Sequence, residues 1–220
     1  MLDGSTILET ELPVVVELRT LTAEDAGPFA EHIASDLDRL KEHLPWPATT
    51  ATSAGAERWL GAYERGEGGR VLAAGAWSRG VLIGGAVLFR HDVPQHNVEI
   101  GCWVVAAGEG RGVALAACRT LLGVAVDTLH VERVEWRTTN ANVRSRYLAE
   151  KLGFRYEGTL RSNYVLDGAR CDTVVLSLVG GEITRAPATA KCGDEPRSTR
   201  AIAPGRDLTT SSTNAGRGWR

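Results

Sequence analysis

The segment "GEGRG", residues 108–112, has the residue types and the position to bind an anion. It joins an apolar run to a segment whose apolar residues recur at helical spacing, so its N–H groups should lie at a helix N-terminus. Those N–H groups and the helix dipole favour a phosphate or pyrophosphate, and glycine lets the backbone approach that ligand closely. Arg111 adds positive charge, whereas Glu109 carries a charge that should repel phosphate.

Two familiar phosphate-binding patterns fit this segment poorly. A P-loop requires Gly-Lys-Ser/Thr after its spacer residues, and the sequence contains no such run. The dinucleotide-binding fingerprint G-x-G-x-x-G has Val113 at its third glycine position, although Glu135 follows about where an acid would bind ribose. A nucleotide-dependent oxidoreductase is therefore a weak interpretation. The glycines alone are equally compatible with a plain strand-to-helix connection.

The elements that would position this segment alternate between strands and helices. A strand is predicted at 14–21 and a helix at 22–44, which begins with a Thr22/Asp25 capping box and ends at Pro45. A loop at 45–55 and a short helix at 54–66 follow. Three β-rich runs at 70–78, 80–90 and 96–105 are separated by short turns, which favours an antiparallel meander over βαβ units.

The C-terminal half repeats the alternation after the glycine segment. Helical spacing continues to residue 129, a strand is predicted at 133–139, and a short helix at 142–153. The last strands fall at 154–160 and 164–179, and Asp167-Gly168 is a strong hairpin signal. The pattern as a whole predicts an α/β fold with a mixed sheet.

Composition limits the class of protein. The 220 residues are enough for one sizeable domain, and the net charge of -2 argues against a dedicated nucleic-acid binder or a membrane-surface protein. No apolar run reaches the roughly 18 residues of a membrane span. The four cysteines form no C-x-x-C pair and no zinc-ligand spacing, so we expect no metal. We expect a cytoplasmic protein without a signal peptide.

Residues 183–220 differ from the rest of the chain. They are rich in Thr, Ser, Gly, Arg and Pro and have no apolar periodicity. Such a segment cannot bury enough apolar surface to order its backbone. We therefore predict one folded domain at 1–182 and a disordered tail at 183–220.

Several stretches resemble the GNAT superfamily, specifically the RimJ/RimL-type N-acetyltransferases. "VEIGCWVVAAGEGRGVALAA" is similar to the family pattern "xEIGYWLxPxxxGxGxAxEA", and "RVEWRTTNANVRSRYLAEKLGFRYEGTLR" is similar to "RVxxxxxxxNxxSxxxxEKLGFxxEGxLR". "VVVELRTLTAEDAGPF", "HLPWP" and "VLIGGAVL" also resemble family stretches, in the same order. The likeness covers about residues 14–180. It implies a mixed sheet splayed between the fourth and fifth strands, with acetyl-CoA bound in the splay.

The resemblance also implies site residues. The backbone of Trp103, Val104 and Val105 would pair with the pantetheine arm, and an N–H near Val104 or Val105 would stabilise the oxyanion. The pyrophosphate would bind the N–H groups of Gly110, Arg111, Gly112, Val113 and Ala114. Asn142 would hydrogen-bond the cofactor, and Ser145 would protonate the departing thiolate. From its place in the "EIG" strand, Glu99 is our candidate for the base; a structural or substrate-positioning carboxylate is the alternative. Trp46 and Tyr164 would line the acceptor site.

The chain departs from the family pattern at several positions. The family usually has Gln or Arg where Glu109 stands and Tyr where Cys102 stands. Many GNAT enzymes have an acid Tyr at the position of Ala149. Because Glu109 should not face phosphate, we expect it to face solvent or to pair with Arg111 or Arg119. We also expect the five histidines to lie at the surface.

The resemblance implies an N-acetyltransferase that acts by direct attack of an amine in a ternary complex. The acceptor would be the primary amine of a protein N-terminus, a peptide or a small molecule such as an antibiotic. Deprotonation at pH 7 costs about 1 kcal/mol for an α-amine and about 4–5 kcal/mol for a lysine, which favours an α-amine. The alternative is a GNAT-fold module that binds CoA without turnover. A monomer and a homodimer are both compatible with the sequence.

Overall fold

A computed structural model of the protein describes residues 6–8 and 16–183. Its central sheet has eight strands in the order β1-β2-β3-β4-β5-β6-β8-β7. The strands are β1 Thr6–Leu8, β2 Val16–Thr20, β3 Leu72–Ser78, β4 Val81–Asp92, β5 Asn97–Val104, β6 Arg133–Thr139, β7 Arg155–Leu166 and β8 Ala169–Val179. All neighbouring pairs are antiparallel except β5 and β6, which are parallel. The predicted mixed sheet is therefore confirmed.

Helices cover both faces of this sheet. They are α1 Ala26–Ala34, α2 Leu37–Lys41, α3 Pro47–Thr50, α4 Ser53–Glu64, α5 Val113–Asp127 and α6 Val143–Lys151. Neighbouring residues of β3 belong to different buried clusters: Ala73 to the cluster that contains Phe29 of α1, and Ala74 to the cluster that contains Leu121 of α5. This is the period of two expected when both faces of a strand are buried.

The parallel pair β5 and β6 is joined over only part of its length. The register matches Asn97 with Arg133, Val98 with Val134 and Glu99 with Glu135, and it extends no further. The remaining residues of both strands diverge and leave a gap in the sheet. The predicted splay between the fourth and fifth strands is confirmed. The structure has one additional short strand, β1, at the start, so the fourth and fifth predicted strands are β5 and β6.

Two of the N-terminal predictions are wrong. The helix expected at 22–44 is a 3₁₀ turn followed by α1 and α2, because the chain breaks at Asp36, whose φ is -141°. The Asp36 carboxylate accepts from the Ala106 N–H at 2.8 Å, so the break follows a contact distant in sequence. The loop expected at 45–55 contains α3, and α4 begins at Ser53 after Thr52 caps the Gly55 N–H.

The other predicted elements are confirmed. The three β-rich runs form the antiparallel meander β3-β4-β5. The hairpin between β7 and β8 turns at Asp167 and Gly168, which both have positive φ. Within the described residues, no helix is long and apolar enough to cross a membrane. The predicted tail lies outside the described residues except for Ile183.

Candidate active site

The gap between β5 and β6 opens into a cavity of about 810 Å³. One side is formed by α2 and the segment before α3, and the other by β6, α6 and β8. Eight residues predicted for the site line this cavity: Trp46, Glu99, Trp103, Val104, Ala114, Asn142, Ser145 and Tyr164. The splay therefore brings residues from five separate segments of the sequence to one cleft.

A second cavity of about 500 Å³ adjoins the first at the start of α5. It is lined by Gly110, Gly112, Val113 and Ala114, four of the five residues predicted to hold a pyrophosphate. Gly110 and Gly112 have φ values of +68° and +69°, which side chains rarely adopt. The first N–H groups of α5 have no partner within the helix, so this loop can offer them to an anion. The Arg111 side chain is exposed and lines neither cavity.

The end of β5 presents one backbone unit to the cleft. The Val105 N–H donates to the Ile83 carbonyl at 3.3 Å, so it belongs to the sheet and is unavailable to a ligand. Successive residues of a strand direct their backbone N–H and C=O groups to opposite sides. Because the Val105 N–H faces β4, the N–H and C=O of Val104 face away from β4 and towards the splay. Of the two predicted oxyanion donors, Val104 fits and Val105 does not.

Glu99 lies at the last paired position of β5, with 9% of its side chain exposed. Its Oε2 atom contacts Arg90 Nη1 at 2.6 Å and Arg137 Nε at 3.6 Å. Burial raises the pKa of Glu99 above its usual value, against the opposing effect of these arginines. Both contacts use Oε2, and no hydrogen bond from residues 16–183 reaches Oε1. Glu99 is thus a stronger base than an exposed carboxylate and keeps one oxygen available.

Asn142 and Ser145 lie across the cleft at the start of α6. Asn142 caps the helix, because its Oδ1 accepts from the Ser145 N–H at 3.1 Å. Its amide N–H groups remain able to donate. The Ser145 hydroxyl oxygen accepts from Trp136 Nε1 at 2.9 Å. Since the indole N–H uses a lone pair of that oxygen, the hydroxyl proton is left to donate elsewhere.

Trp46, before α3, and Tyr164, in β7, both line the larger cavity. Trp46 stacks on Trp59 with ring centroids 4.9 Å apart and meets Trp103 edge-on at 5.6 Å. Tyr164 is half-buried, and burial raises the pKa of its hydroxyl, which stays neutral. Both residues can therefore contact an acceptor bound in this cavity.

Comparison with known proteins gives the same result as the geometry. Residues 16–155 match the family model described as acetyltransferase (GNAT) domain. The chain belongs to the GNAT acetyltransferase family. It is 31% identical over 172 residues to the candidate ribosomal N-acetyltransferase YdaF of Bacillus subtilis (strain 168), covering 76% of this chain and 92% of that protein. The resemblance found in the sequence is confirmed.

Solved structures share the fold of this GNAT acetyltransferase. The crystal structure of a probable acetyltransferase is 29% identical with a TM-score of 0.66, over 80% of this chain and 97% of the other. Mycobacterium smegmatis RimJ in complex with CoA-disulfide is 22% identical with a TM-score of 0.73, over 83% and 90%. The protein is an acetyl-CoA-dependent acetyltransferase. Its α5 loop and the Val104 N–H can offer donors to such a cofactor, whereas the Val104 carbonyl already accepts from Arg39 Nη2 at 2.6 Å. The described residues contain no group of three or more His, Cys, Asp or Glu that could hold a metal.

Several residues of the GNAT acetyltransferase site were missed by sequence reasoning. The cavity wall also contains Arg39, His43, Arg90, Cys102, Arg137 and Arg144. His43 contradicts the expectation of surface histidines, and so does His32, which is buried beneath β5. Cys102 stood out only as a departure from the family pattern. The arginines carry no local signal, because a charged residue in a helix or strand usually faces solvent.

The expected partners of Glu109 are wrong, although the expected pairing is present. Glu109 Oε1 contacts Arg144 Nη1 at 2.6 Å and also Arg39 Nη1. Arg39 belongs to α2 and Arg144 to α6, on opposite sides of the passage between the two cavities. The Glu109 carboxylate is therefore neutralised by one arginine from each side of the cleft, and not by the nearby Arg111 or Arg119.

Proposed function

We propose that this enzyme transfers the acetyl group of acetyl-CoA to the α-amine of a protein N-terminus or peptide, by direct attack in a ternary complex. The observation that carries the proposal is a single cleft with the Val104 backbone, Glu99 and Ser145 around its centre and the α5 loop at one end. Acetyl-CoA supplies the activated acetyl group. The residues of the chain align the amine, receive its proton and stabilise developing charge.

A protein acceptor is supported by the descriptions of related proteins. YdaF is described as a candidate ribosomal N-acetyltransferase. More distant structures include RimL, described as a ribosomal L7/L12 α-N-protein acetyltransferase, and a ribosomal-protein-S5-alanine acetyltransferase from Vibrio fischeri. An α-amine has a pKa near 7.7–8.0, so a modest base can deprotonate it at neutral pH. A lysine side chain would need a stronger one.

Glu99 is suited to receive the proton of the amine. Its raised pKa increases its affinity for a proton, and its Oε1 faces no competing donor among the described side chains. The arginine contacts at Oε2 hold the carboxylate in place. We propose that Glu99 acts through Oε1, either directly or through one water molecule.

Val104 and Ser145 would complete the chemistry from opposite sides of the cleft. The Val104 N–H faces the splay, where it can donate to the carbonyl oxygen as negative charge develops. The Ser145 hydroxyl has its oxygen engaged by Trp136 and its proton available, so it can donate that proton to the departing sulfur while it takes another from a water molecule. Ser145 thus takes the role that a tyrosine at position 149 would have in other members of the family.

The proposal is tested by Glu99→Gln, assayed by thiol release with a panel of N-terminal peptides and lysine-containing peptides blocked at the N-terminus. We expect kcat to fall about 100-fold or more, while CoA affinity changes little. Glu57→Gln on α4 is the matched control, because it is an exposed acid far from the cleft. Full activity in Glu99→Gln would exclude this base. CoA binding without thiol release on any peptide would support a binding module instead.

The pH dependence of kcat/KM tests the same role. Only the carboxylate can accept a proton, so the rate should fall as pH drops through the raised pKa of Glu99. Arg90 stabilises the carboxylate, so Arg90→Gln should move this acidic limb to higher pH. In Glu99→Gln the limb from Glu99 should disappear, which leaves only the limb set by the α-amine of the acceptor, with a pKa near 7.7–8.0. If the acidic limb does not move in Arg90→Gln, a group other than Glu99 causes it.

A further inference from the structure

The side chains of Arg39, Glu109 and Arg144 form an ion-pair bridge over the passage between the two cavities. We call them the Glu109 bridge. Glu109 and Arg144 line both cavities, so the bridge lies where the α5 loop meets the cleft. A cofactor bound to the loop and extending into the splay must pass this point. The bridge therefore contacts the path that the proposed function requires.

The two arginines of the Glu109 bridge are held very differently. Arg39 also contacts the Asp36 carboxylate, and its Nη2 donates to the Val104 carbonyl at 2.6 Å. Only 33% of the Arg39 side chain is exposed. The Arg144 side chain is 77% exposed, and Glu109 is its one ion-pair partner among residues 16–183. Arg39 is fixed by three acceptors, whereas Arg144 can move if another anion replaces Glu109.

The Glu109 carboxylate lies where an anion is favoured. It precedes the N-terminus of α5, whose free N–H groups and dipole attract negative charge, and two arginines flank it. An anion bound to the loop meets the same groups. The carboxylate and a pyrophosphate would therefore compete for one set of donors, and the exposed Arg144 is the donor that can change partner at lowest cost.

We propose that Arg144 is a ligand for the pyrophosphate of acetyl-CoA, and that Glu109 holds Arg144 in place until the cofactor binds. This inference rests on the proposed function, because it assumes that the α5 loop binds the cofactor. On binding, Arg144 exchanges one carboxylate oxygen for phosphate oxygens, and Glu109 remains neutralised by Arg39. Glu109 thus affects binding of the cofactor mainly by competing for Arg144, and its direct repulsion of phosphate is the smaller effect.

Competition for Arg144 and simple repulsion of phosphate predict different changes in CoA affinity when Glu109 is removed. If Glu109 only repels phosphate, its removal should strengthen CoA binding whether or not Arg144 is present. If Glu109 instead competes for Arg144, its removal should strengthen binding only when Arg144 is present. A double-mutant cycle separates these two cases.

The experiment measures CoA binding by titration calorimetry for the wild type, Glu109→Gln, Arg144→Gln and the double variant. We expect Arg144→Gln to weaken binding about tenfold or more, as for loss of a charge-assisted hydrogen bond. We expect Glu109→Gln to strengthen binding about three- to tenfold in the wild-type background. In the Arg144→Gln background, the Glu109→Gln effect should fall to about twofold or less.

Two controls remove general charge effects. Arg146→Gln changes the same charge on the same helix, but Arg146 contacts Asn140 and lines neither cavity. Glu57→Gln removes a distant acid. An Arg144→Gln variant that binds CoA as well as Arg146→Gln would overturn the proposal, and so would an equal Glu109→Gln effect in both backgrounds. Failure of the wild type to bind CoA would instead overturn the proposed function.

Discussion

The two sides of the cleft are stabilised in different ways. The β5 side consists of β5 with α1, α3 and α4 packed against it, and its contacts are buried and largely aromatic. The β6 side consists of β6, β7 and β8, and its polar contacts are partly exposed ion pairs. The β6 side also has buried apolar residues such as Val134 and Leu176, so the two sides differ in what is added to that packing: stacked rings on one and ion pairs on the other.

The β5 side is built around stacked rings. Phe29 is fully buried and stacks on Trp59 at 5.3 Å, and it meets the edge of Trp103 at 5.8 Å. The Trp103 indole donates to His32 Nε2 at 3.1 Å, which satisfies a buried donor. These contacts fix the strand that carries Val104. Because they exclude water, salt should affect them little.

The β6 side depends on a chain of ion pairs. Arg133 contacts Glu135 at 3.0 Å and Glu157 at 2.5 Å, and Arg137 contacts Glu135 at 2.8 Å. Arg137 is also one of the two arginines near Glu99. The buried Glu99 carboxylate therefore lies at the boundary of the two sides and contacts an arginine from each, Arg90 and Arg137.

The largest expected effect tests the packing of the β5 side. Phe29→Ala should destabilise the protein by about 3–5 kcal/mol, because it removes a buried ring and leaves a cavity. The comparison is an exposed ring of the β6 side: Tyr156 is 63% exposed, and we expect Tyr156→Ala to cost under about 1 kcal/mol. Urea unfolding of both variants measures the difference. Equal costs would show that the two sides do not differ in this way.

The elements that were predicted and those that were missed differ in how far apart in the sequence their determining contacts lie. Elements set by nearby residues were found from the sequence: the meander, the Asp167-Gly168 hairpin and the helix after Asn142. The break at Asp36 was missed because Ile33, Leu37 and Leu40 keep helical spacing across it. What breaks the helix is a contact with Ala106, far along the chain. No local pattern contains that contact.

The candidate site divides along a similar line. The glycine loop, Glu99, Asn142 and Ser145 were identified because they lie in stretches with a family pattern. Arg39 and Arg144 were not, because each looks like a solvated residue of its own helix. Their role depends on where two helices far apart in sequence meet. His32 was assigned to the surface for the same reason, since its burial depends on packing against β5.

An intermediate effect tests a buried titratable contact within the β5 side. Burial lowers the pKa of His32 from 6.5 to about 4, so His32 is neutral in the folded protein. A lowered histidine pKa contributes stability above pH 6.5 that is lost as pH falls towards 4. By pH 5 the loss should be about 2 kcal/mol relative to pH 7. Urea unfolding at both pH values measures it.

His32→Gln is the comparison variant, because glutamine does not titrate and its carbonyl can accept from Trp103. The wild type should lose about 2 kcal/mol more than His32→Gln between pH 7 and pH 5. Carboxylates titrate in both proteins, so their contribution cancels in this difference. An identical loss in both proteins would show that His32 does not carry a lowered pKa.

The smallest expected effect tests the charges of the β6 side. Glu157 accepts from both Arg133 Nη atoms and from Ser177 Oγ, and these contacts, led by Arg133, lower the pKa of Glu157 to about 2. With 40% of the Glu157 side chain exposed, solvent and salt screen the pair. Glu157→Gln keeps an acceptor for Ser177 and removes only charge, so it should cost under about 1 kcal/mol.

Salt and pH decide whether that small cost is electrostatic. The cost of Glu157→Gln should shrink towards zero in 1 M salt, where the screening length is about 3 Å. It should also vanish as pH falls from 4.5 towards 2, because a lowered carboxyl pKa contributes stability only above that range. Phe29→Ala should keep its full cost at both salt concentrations. A Glu157→Gln cost that persists in 1 M salt would mean that the contribution of Glu157 to stability is not electrostatic.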